Sequence, residues 1–349
     1  MKKMKKIAII MAALTLCSAC KGLVEEIDIT ENEEMLVLAA QLLQDEPTHV
    51  VRIFSSRGSV CEEEYGAKVT CSVNGGPETE LLDIVTEDVD VWGDPVQRHS
   101  GFSFDYKLAP GDKVTITAAK NSCKASATLT VPESNCTKCT LDSLSLVEYS
   151  DGYAYTNHYY EITMQDKPDG EVHYYLLKME DVLYRVTPDG RDVDSVSVTH
   201  FFDSSKEPLL HPSSLSVMGE VGIEGNAYNQ FTSSTFKGGT YTFRVADESL
   251  GYTFEEFTET FDEGDAFRLE RHAKVYTTTY EEYVYLSNIS TESHSIIAEF
   301  IEAVVYPSNV KGGLGFVAAA TPAVGVIKYP TVVFTGVDVA TVYYEMGLW

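Results

Sequence analysis

Positive charge is what this chain most lacks. Its 349 residues hold 26 lysines and arginines against 53 aspartates and glutamates, for a formal charge of −27. Four of the lysines (Lys2, Lys3, Lys5, Lys6) stand at the very start, so cleavage after residue 19 takes the charge from −27 to −31. Such a surface repels nucleic acid and anionic headgroups, which argues against a nucleic-acid partner or a phosphate ligand. A long hydrophobic run is also missing. The apolar stretch from Ile7 to Leu16 is too short to cross roughly 30 Å of hydrocarbon as a lasting helix. Signatures of chemistry are missing as well: the eight histidines form no H-E-x-x-H, and there is no G-x-S-x-G elbow or phosphate loop. No repeat period suggests a solenoid or propeller. A hydrophobic fraction of 44% excludes a mostly disordered chain. The expectation is a folded non-enzyme with no cofactor and no metal.

What is present at the start is an address. A lysine-rich opening, a short apolar middle and the small pair Ser18-Ala19 before Cys20 make a secretory signal, residues 1–19. A cysteine directly after the small pair makes it a lipoprotein signal, with Cys20 as the lipidated first residue of the mature chain. Cys17 occupies the position where such signals usually carry leucine. Acyl chains contribute about 0.8 kcal/mol per buried CH₂, so several of them anchor a protein durably. Residues 20–34 are acidic and aperiodic, and read as a tether.

Beyond the signal and the anchor, the cysteines are Cys61, Cys71, Cys123, Cys136 and Cys139. An exported chain can oxidise them, so disulfides among these five are expected, with the connectivity open and at least one thiol left over. Among these five, Cys136-Thr-Lys-Cys139 is the only C-x-x-C, and no second pair completes a zinc site.

From residue 35 onward the chain is a series of short β-type runs. MLVLAAQLL, HVVRIFS, AKVTCSV, FSFDYKL, KVTITAA and KASATLTV are rich in β-branched and aromatic residues and are punctuated by NGG and PGD turns. In KVTITAA, Val114, Ile116 and Ala118 share one face, the period of a half-buried antiparallel strand. Residues 35–133 therefore predict an immunoglobulin-like β-sandwich. VPESNCTKC at 131–139 reads as a junction, and residues 140–349 as a larger β-rich domain. Within it, 278–304 reads as helical: Thr278 with Glu281 forms a capping-box pattern, and Ile297, Phe300, Ile301 and Val304 share a helical face. The acidic runs Glu62-Glu63-Glu64 and Asp88-Val89-Asp90 read as solvated loops. In YSDGYAYTNHYY an extended chain places Tyr153, Tyr155 and Tyr159 on one face and Tyr160 on the other. A row of exposed aromatics stacks on sugar rings or anchors a partner protein, although tyrosine equally suits a half-buried sheet.

Ordered blocks along the chain add a resemblance. The opening Cys20…Glu25-Glu26-Ile27-Asp28, the strand-turn AKVTCSVNGG, YKLAPGDKVTITA…ATLTVPE, QDKPDGEVHYYLL, FKGGTYTF, YEEYVYL and YPSNVKGGLGFVAA resemble motifs of Bacteroidota outer-membrane lipoproteins of the domain-of-unknown-function 4249 family. His173 departs from the pattern, standing where that family usually has asparagine. The resemblance implies a lipid-anchored protein of the outer membrane, found beside TonB-dependent receptors and accessory to uptake, with no catalytic residues to carry over. Glu25 and Glu26 resemble a surface-export signal, which implies an outward-facing position. The glycines Gly312, Gly313 and Gly315 suit either a tight turn or a contact surface. The leading expectation is a non-catalytic accessory to a TonB-dependent transporter that presents a glycan or peptide ligand. The alternatives are a free-standing adhesin and a hydrolase with an unrecognised site.

Overall fold

The computed structural model describes residues 34–334 except 58–59, 90–94, 151–152, 188–189, 211–227, 249–253, 255–257, 259, 263 and 294–306. It is mostly β, as expected. The first half supplies β1 (Glu34–Leu43), β2 (Thr48–Arg57), β3 (Val60–Glu63), β4 (Lys68–Val73), β5 (Thr79–Glu80), β6 (Leu82–Val89), β7 (Pro95–Asp105), β8 (Lys113–Lys120) and β9 (Cys123–Thr130). The second supplies β10 (Cys136–Ser150), β11 (Tyr153–Asp166), β12 (Tyr174–Val186), β13 (Asp192–Thr199), β14 (Phe202–Asp203), β15 (Gln230–Thr232), β16 (Thr240–Asp247) and β17 (Ala266–Thr278). Helix α1 (Tyr280–Ser293) follows, then β18 (Val310–Lys311), β19 (Leu314–Lys328) and β20 (Val332–Val333).

These strands build two sandwiches on one shared sheet. The shared sheet runs β13-β12-β17-β19-β1-β2-β7-β6. A five-stranded sheet, β18-β9-β8-β4-β5, packs on the β1-β2-β7 part of it, and a four-stranded sheet, β10-β11-β16-β14, packs on the β12-β17 part. Alternation sets the first interior. Val114, Ile116 and Ala118 of β8 are buried as the period of two requires, facing Leu36, Leu38 and Leu42 of β1. Each such valine, leucine or isoleucine contributes roughly 1.5–3 kcal/mol by leaving water.

The strand that joins the sandwiches is β19. Its first half pairs in parallel with β1, Val37 opposite Leu314 through Leu43 opposite Ala320. Its second half pairs antiparallel with β17, from Thr277 opposite Thr321 to Glu270 opposite Lys328. Residues 310–320 thus belong with the first sandwich, although a cut at 133–140 assigns them to the second domain. A pairing between residues so far apart in sequence leaves no local pattern by which to see it.

The three glycines make that return possible. A Cβ on Gly313 would stand 2.4 Å from Leu36 O, and one on Gly315, at φ +99°, 2.2 Å from Leu38 O. Gly312, at φ +71°, presses on Lys124 O in the same way. Backbone approaches backbone here with no room for a side chain, so these residues serve the close packing of the returning chain. Asn309 secures it: its side-chain amide donates to Val317 O at 2.6 Å and accepts from Val317 N at 2.9 Å. Ser308 Oγ donates to Gly315 O.

The helix begins one residue later than the capping pattern suggests. Thr279 Oγ1, not Thr278, accepts the Glu282 N–H at 3.2 Å, so Thr279 is the N-cap. Thr278 Oγ1 instead donates to the Glu282 carboxylate. The expected continuation from 294 to 304 lies outside the described residues.

Candidate functional site

Alternation along β1 divides its side chains between two environments. Leu36, Leu38 and Leu42 enter the first sandwich, which leaves Ala39, Gln41 and Leu43 on the opposite face of the shared sheet. Helix α1 lies over that face, and two cavities form beneath and beside it. One, of about 580 Å³, is lined by Ala39, Val50, Arg52, Phe316 and Ala318 from the sheet and by Glu282, Tyr285 and Leu286 from the helix. Tyr285 stacks on Phe316 there with ring centroids 5.0 Å apart. The other, of about 500 Å³, is lined by Leu43, Leu176, Lys178, Glu180, His200, Phe201, Lys274 and Tyr276. Gln41 and Tyr228 line both.

The second cavity has a charged floor. Lys274 Nζ sits 2.7 Å from Asp45 and 2.5 Å from Glu180. Tyr276 OH donates to Asp45 at 3.1 Å, and Ser197 Oγ to Glu180 at 3.1 Å. Burial would raise the Glu180 carboxyl, but hydrogen bonds from His272 and Lys274 win and hold it down to about 2. Lys178 Nζ donates to Gln41 Oε1 at 2.8 Å, and Gln41 Nε2 donates to Glu282 at 2.6 Å. Glu282 is buried, which raises its pKa against the hydrogen bonds from Thr278 and Gln41.

Behind this floor lies a second group of charges, inside the second sandwich. Arg271, fully buried, donates from Nε and Nη2 to the two Asp181 oxygens at 2.6 and 2.8 Å. His200 bridges Asp181 at 3.1 Å and Asp247 at 3.2 Å. Tyr160 OH donates to Asp247 at 2.8 Å, and the Arg271 guanidinium lies over the Tyr160 ring. Burial pulls the His200 imidazolium down, but the hydrogen bonds and charges of Asp181 and Asp247 more than offset it and leave its pKa at about 9. With His200 protonated, two cations balance two carboxylates. Each charge is held by a fixed opposite partner, which offsets the cost of burying it.

A third polar cluster accounts for two of the sequence motifs. Asp166, fully buried, accepts from Gly238 N at 2.7 Å, from Tyr175 OH at 2.5 Å and from His173 at 2.8 Å. It fastens the turn after β11 to the turn before β16. His173 supplies one of the three donors to that carboxylate.

The residues singled out from sequence do not gather at these cavities. Cys20 lies outside the described residues, as do the side chains of Tyr153, Tyr155 and Cys61. Tyr159 is only 8% exposed, packed in β11, so it is not part of an open aromatic row. Cys71, Cys123, Cys136 and Cys139 are free thiols, contrary to the expectation of disulfides among them. Each is committed elsewhere. Cys71 enters the first core, Cys123 donates to Glu34 O, Cys136 to Lys138 O and Cys139 to Ala273 O. Burial pushes the Cys71 and Cys136 thiols up to about 11 and Cys139 to about 12, far from reactivity. Glu64, read as part of a solvated run, is buried and paired with Lys120. Sequence reading missed Gln41, Lys178, Lys274 and Glu282. The signal for the two lysines was charge inside apolar strands, in LLKMED (176–181) and RLERHAKVY (268–276).

The sequence profile of a domain of unknown function, DUF4249, matches residues 24–324. No curated protein matches the chain.

Proposed function

The chain belongs to the DUF4249 family, and on that premise we propose that it is a lipid-anchored, non-catalytic ligand-binding protein of the outer membrane, facing outward and accessory to a TonB-dependent transporter. The observation that carries the binding half is the pair of adjoining cavities that share Gln41 and Tyr228, one walled by stacked aromatics and one floored by paired charges. Cavities of a few hundred Å³ with apolar walls and a few placed polar groups are the usual form of a small-molecule site. The anchoring half is supported by the Lys2-to-Cys20 signal, and the transporter half by the family resemblance.

Mild detergent extraction followed by purification of the tagged chain tests the partnership. A β-barrel receptor is expected to come with it, and its consistent absence sinks the transporter role. Cys20→Ala is expected to abolish labelling by a palmitate analogue and to release the chain from the membrane fraction.

A further inference from the structure

Among the described residues, one cation of the second cavity makes no direct ion pair. β12 and β17 pair so that Lys178 stands directly opposite Lys274, a like-charge pair that costs stability unless something compensates it. Lys274 is compensated twice, by Asp45 and by Glu180. Lys178 is not. Among the described residues its hydrogen bond goes to a neutral amide oxygen, Gln41 Oε1, and its other contact is the Tyr276 ring, 5.5 Å from Nζ. No carboxylate lies in salt-bridge range of it among those residues. Glu282 reaches it only through the Gln41 amide, whose other end is spent on that carboxylate.

We infer that Lys178 is the anchor for the anionic group of a ligand: a small monocarboxylate with an apolar body, seated in the cavity of about 500 Å³. This rests on the reading of the groove as a ligand site and names the ligand's class. An ammonium has three donors, and Gln41 takes one, which leaves donors for a carboxylate entering the cavity. Leu43, Leu176, Tyr276 and Phe201 provide the apolar wall for the body. The nearby acids do not repel such a ligand as their number suggests. Asp45 and Glu180 share Lys274, Glu180 also pairs with His272 at 3.3 Å, and burial, reinforced by Asp45 and Glu180 against Lys274, raises the pKa of Glu46. Burial also lowers the pKa of Lys178, against the attraction of Glu282, Asp45 and Glu46, so its charge gains from the arrival of an anion.

Calorimetric titration of the full-length protein with 2-naphthoate, 2-naphthylmethanol and 2-naphthylmethylamine tests this. Saturable binding of the naphthoate, tighter than that of the near-isosteric alcohol, is expected. Lys178→Met should weaken naphthoate binding about tenfold or more while leaving alcohol binding unchanged, and Lys178→Arg should restore most of the loss. The Met variant relieves the like-charge pair and should melt no lower than the parent, so a loss of binding is not a loss of fold. Equal affinity for acid and alcohol, tighter binding of the amine, or full naphthoate affinity in Lys178→Met overturns the assignment. Uptake of the alcohol without preference for the acid overturns the anion anchor while keeping a ligand-binding groove. Failure to bind any of the three overturns the assigned ligand class and leaves the transporter partnership to be decided by co-purification.

Discussion

The two sandwiches lean on one sheet but fill their interiors in opposite ways. The first is closed by Leu, Val, Ile and Ala, with Phe102 and Phe104. The second packs Tyr160, Tyr175, Phe231 and Phe243 and buries Asp166, Asp181, His200 and Arg271 among them. Aliphatic cores are cheap in specificity and tolerant of volume-conserving change. A buried ionic group costs desolvation and is retained for the geometry it fixes. The contrast teaches that the two layers do different jobs. The first sandwich is scaffold, and the second is a framed support under the charged cavity.

The largest break in this comparison should come from the element that both sandwiches share. Gly315→Val forces a β-branched residue to a left-handed φ against Leu38 O, and strain plus overpacking should cost roughly 2–6 kcal/mol. Both sandwiches should lose stability together. Exchange of backbone amides in β8 and in β12 reads the two separately, and unchanged protection in either would show that β19 does not couple them.

Arg271→Met comes next, at about 3–5 kcal/mol, because it leaves Asp181 buried without its guanidinium. Adding Asp181→Leu should recover much of that loss, which a melt of the double variant checks. Loss of protection should be greater in β12 than in β8.

The third effect is of pH. The folded-state pKa of His200, about 9, lies above the ordinary 6.5, so its stabilisation is complete below pH 6.5 and is lost as pH rises through 9. That amounts to about 3 kcal/mol at most. Denaturant unfolding between pH 6 and 9.5 should show the decline, and His200→Asn should flatten it. Alkylation of Cys136 in the second sandwich should rise with pH in mild denaturant more steeply than that of Cys71 in the first. The smallest change is Ile116→Val, at about 0.5–1.5 kcal/mol, and it should be independent of pH over that range.

What was legible in the sequence divides along the same line. Strands of the first sandwich announce themselves because one face is apolar and the other wet, as in β8. The second sandwich hides its plan, since β12 and β17 are buried on both faces and carry charges that answer only distant partners. Gln41 and Glu282, or Arg271 and Asp181, meet through the fold and at no sequence spacing. The capping threonine was misplaced by one residue because Thr278 and Thr279 offer the same side chain, and only the backbone decides between them. The cysteines mislead for a related reason: an exported chain could form disulfides, but each described thiol is positioned by the strand that carries it.

The parallel pairing of β1 with β19 also sets a clock. A chain made from its N-terminus delivers β1 early and β19 late. Until residues 314–320 emerge, β1 offers an open edge to any passing strand, the condition under which chains join wrongly to their neighbours. Pairing across so long a stretch is slow to close. The sandwich that is translated first therefore stays incomplete until most of the second has been made, and protection of that edge falls until then to whatever meets the growing chain.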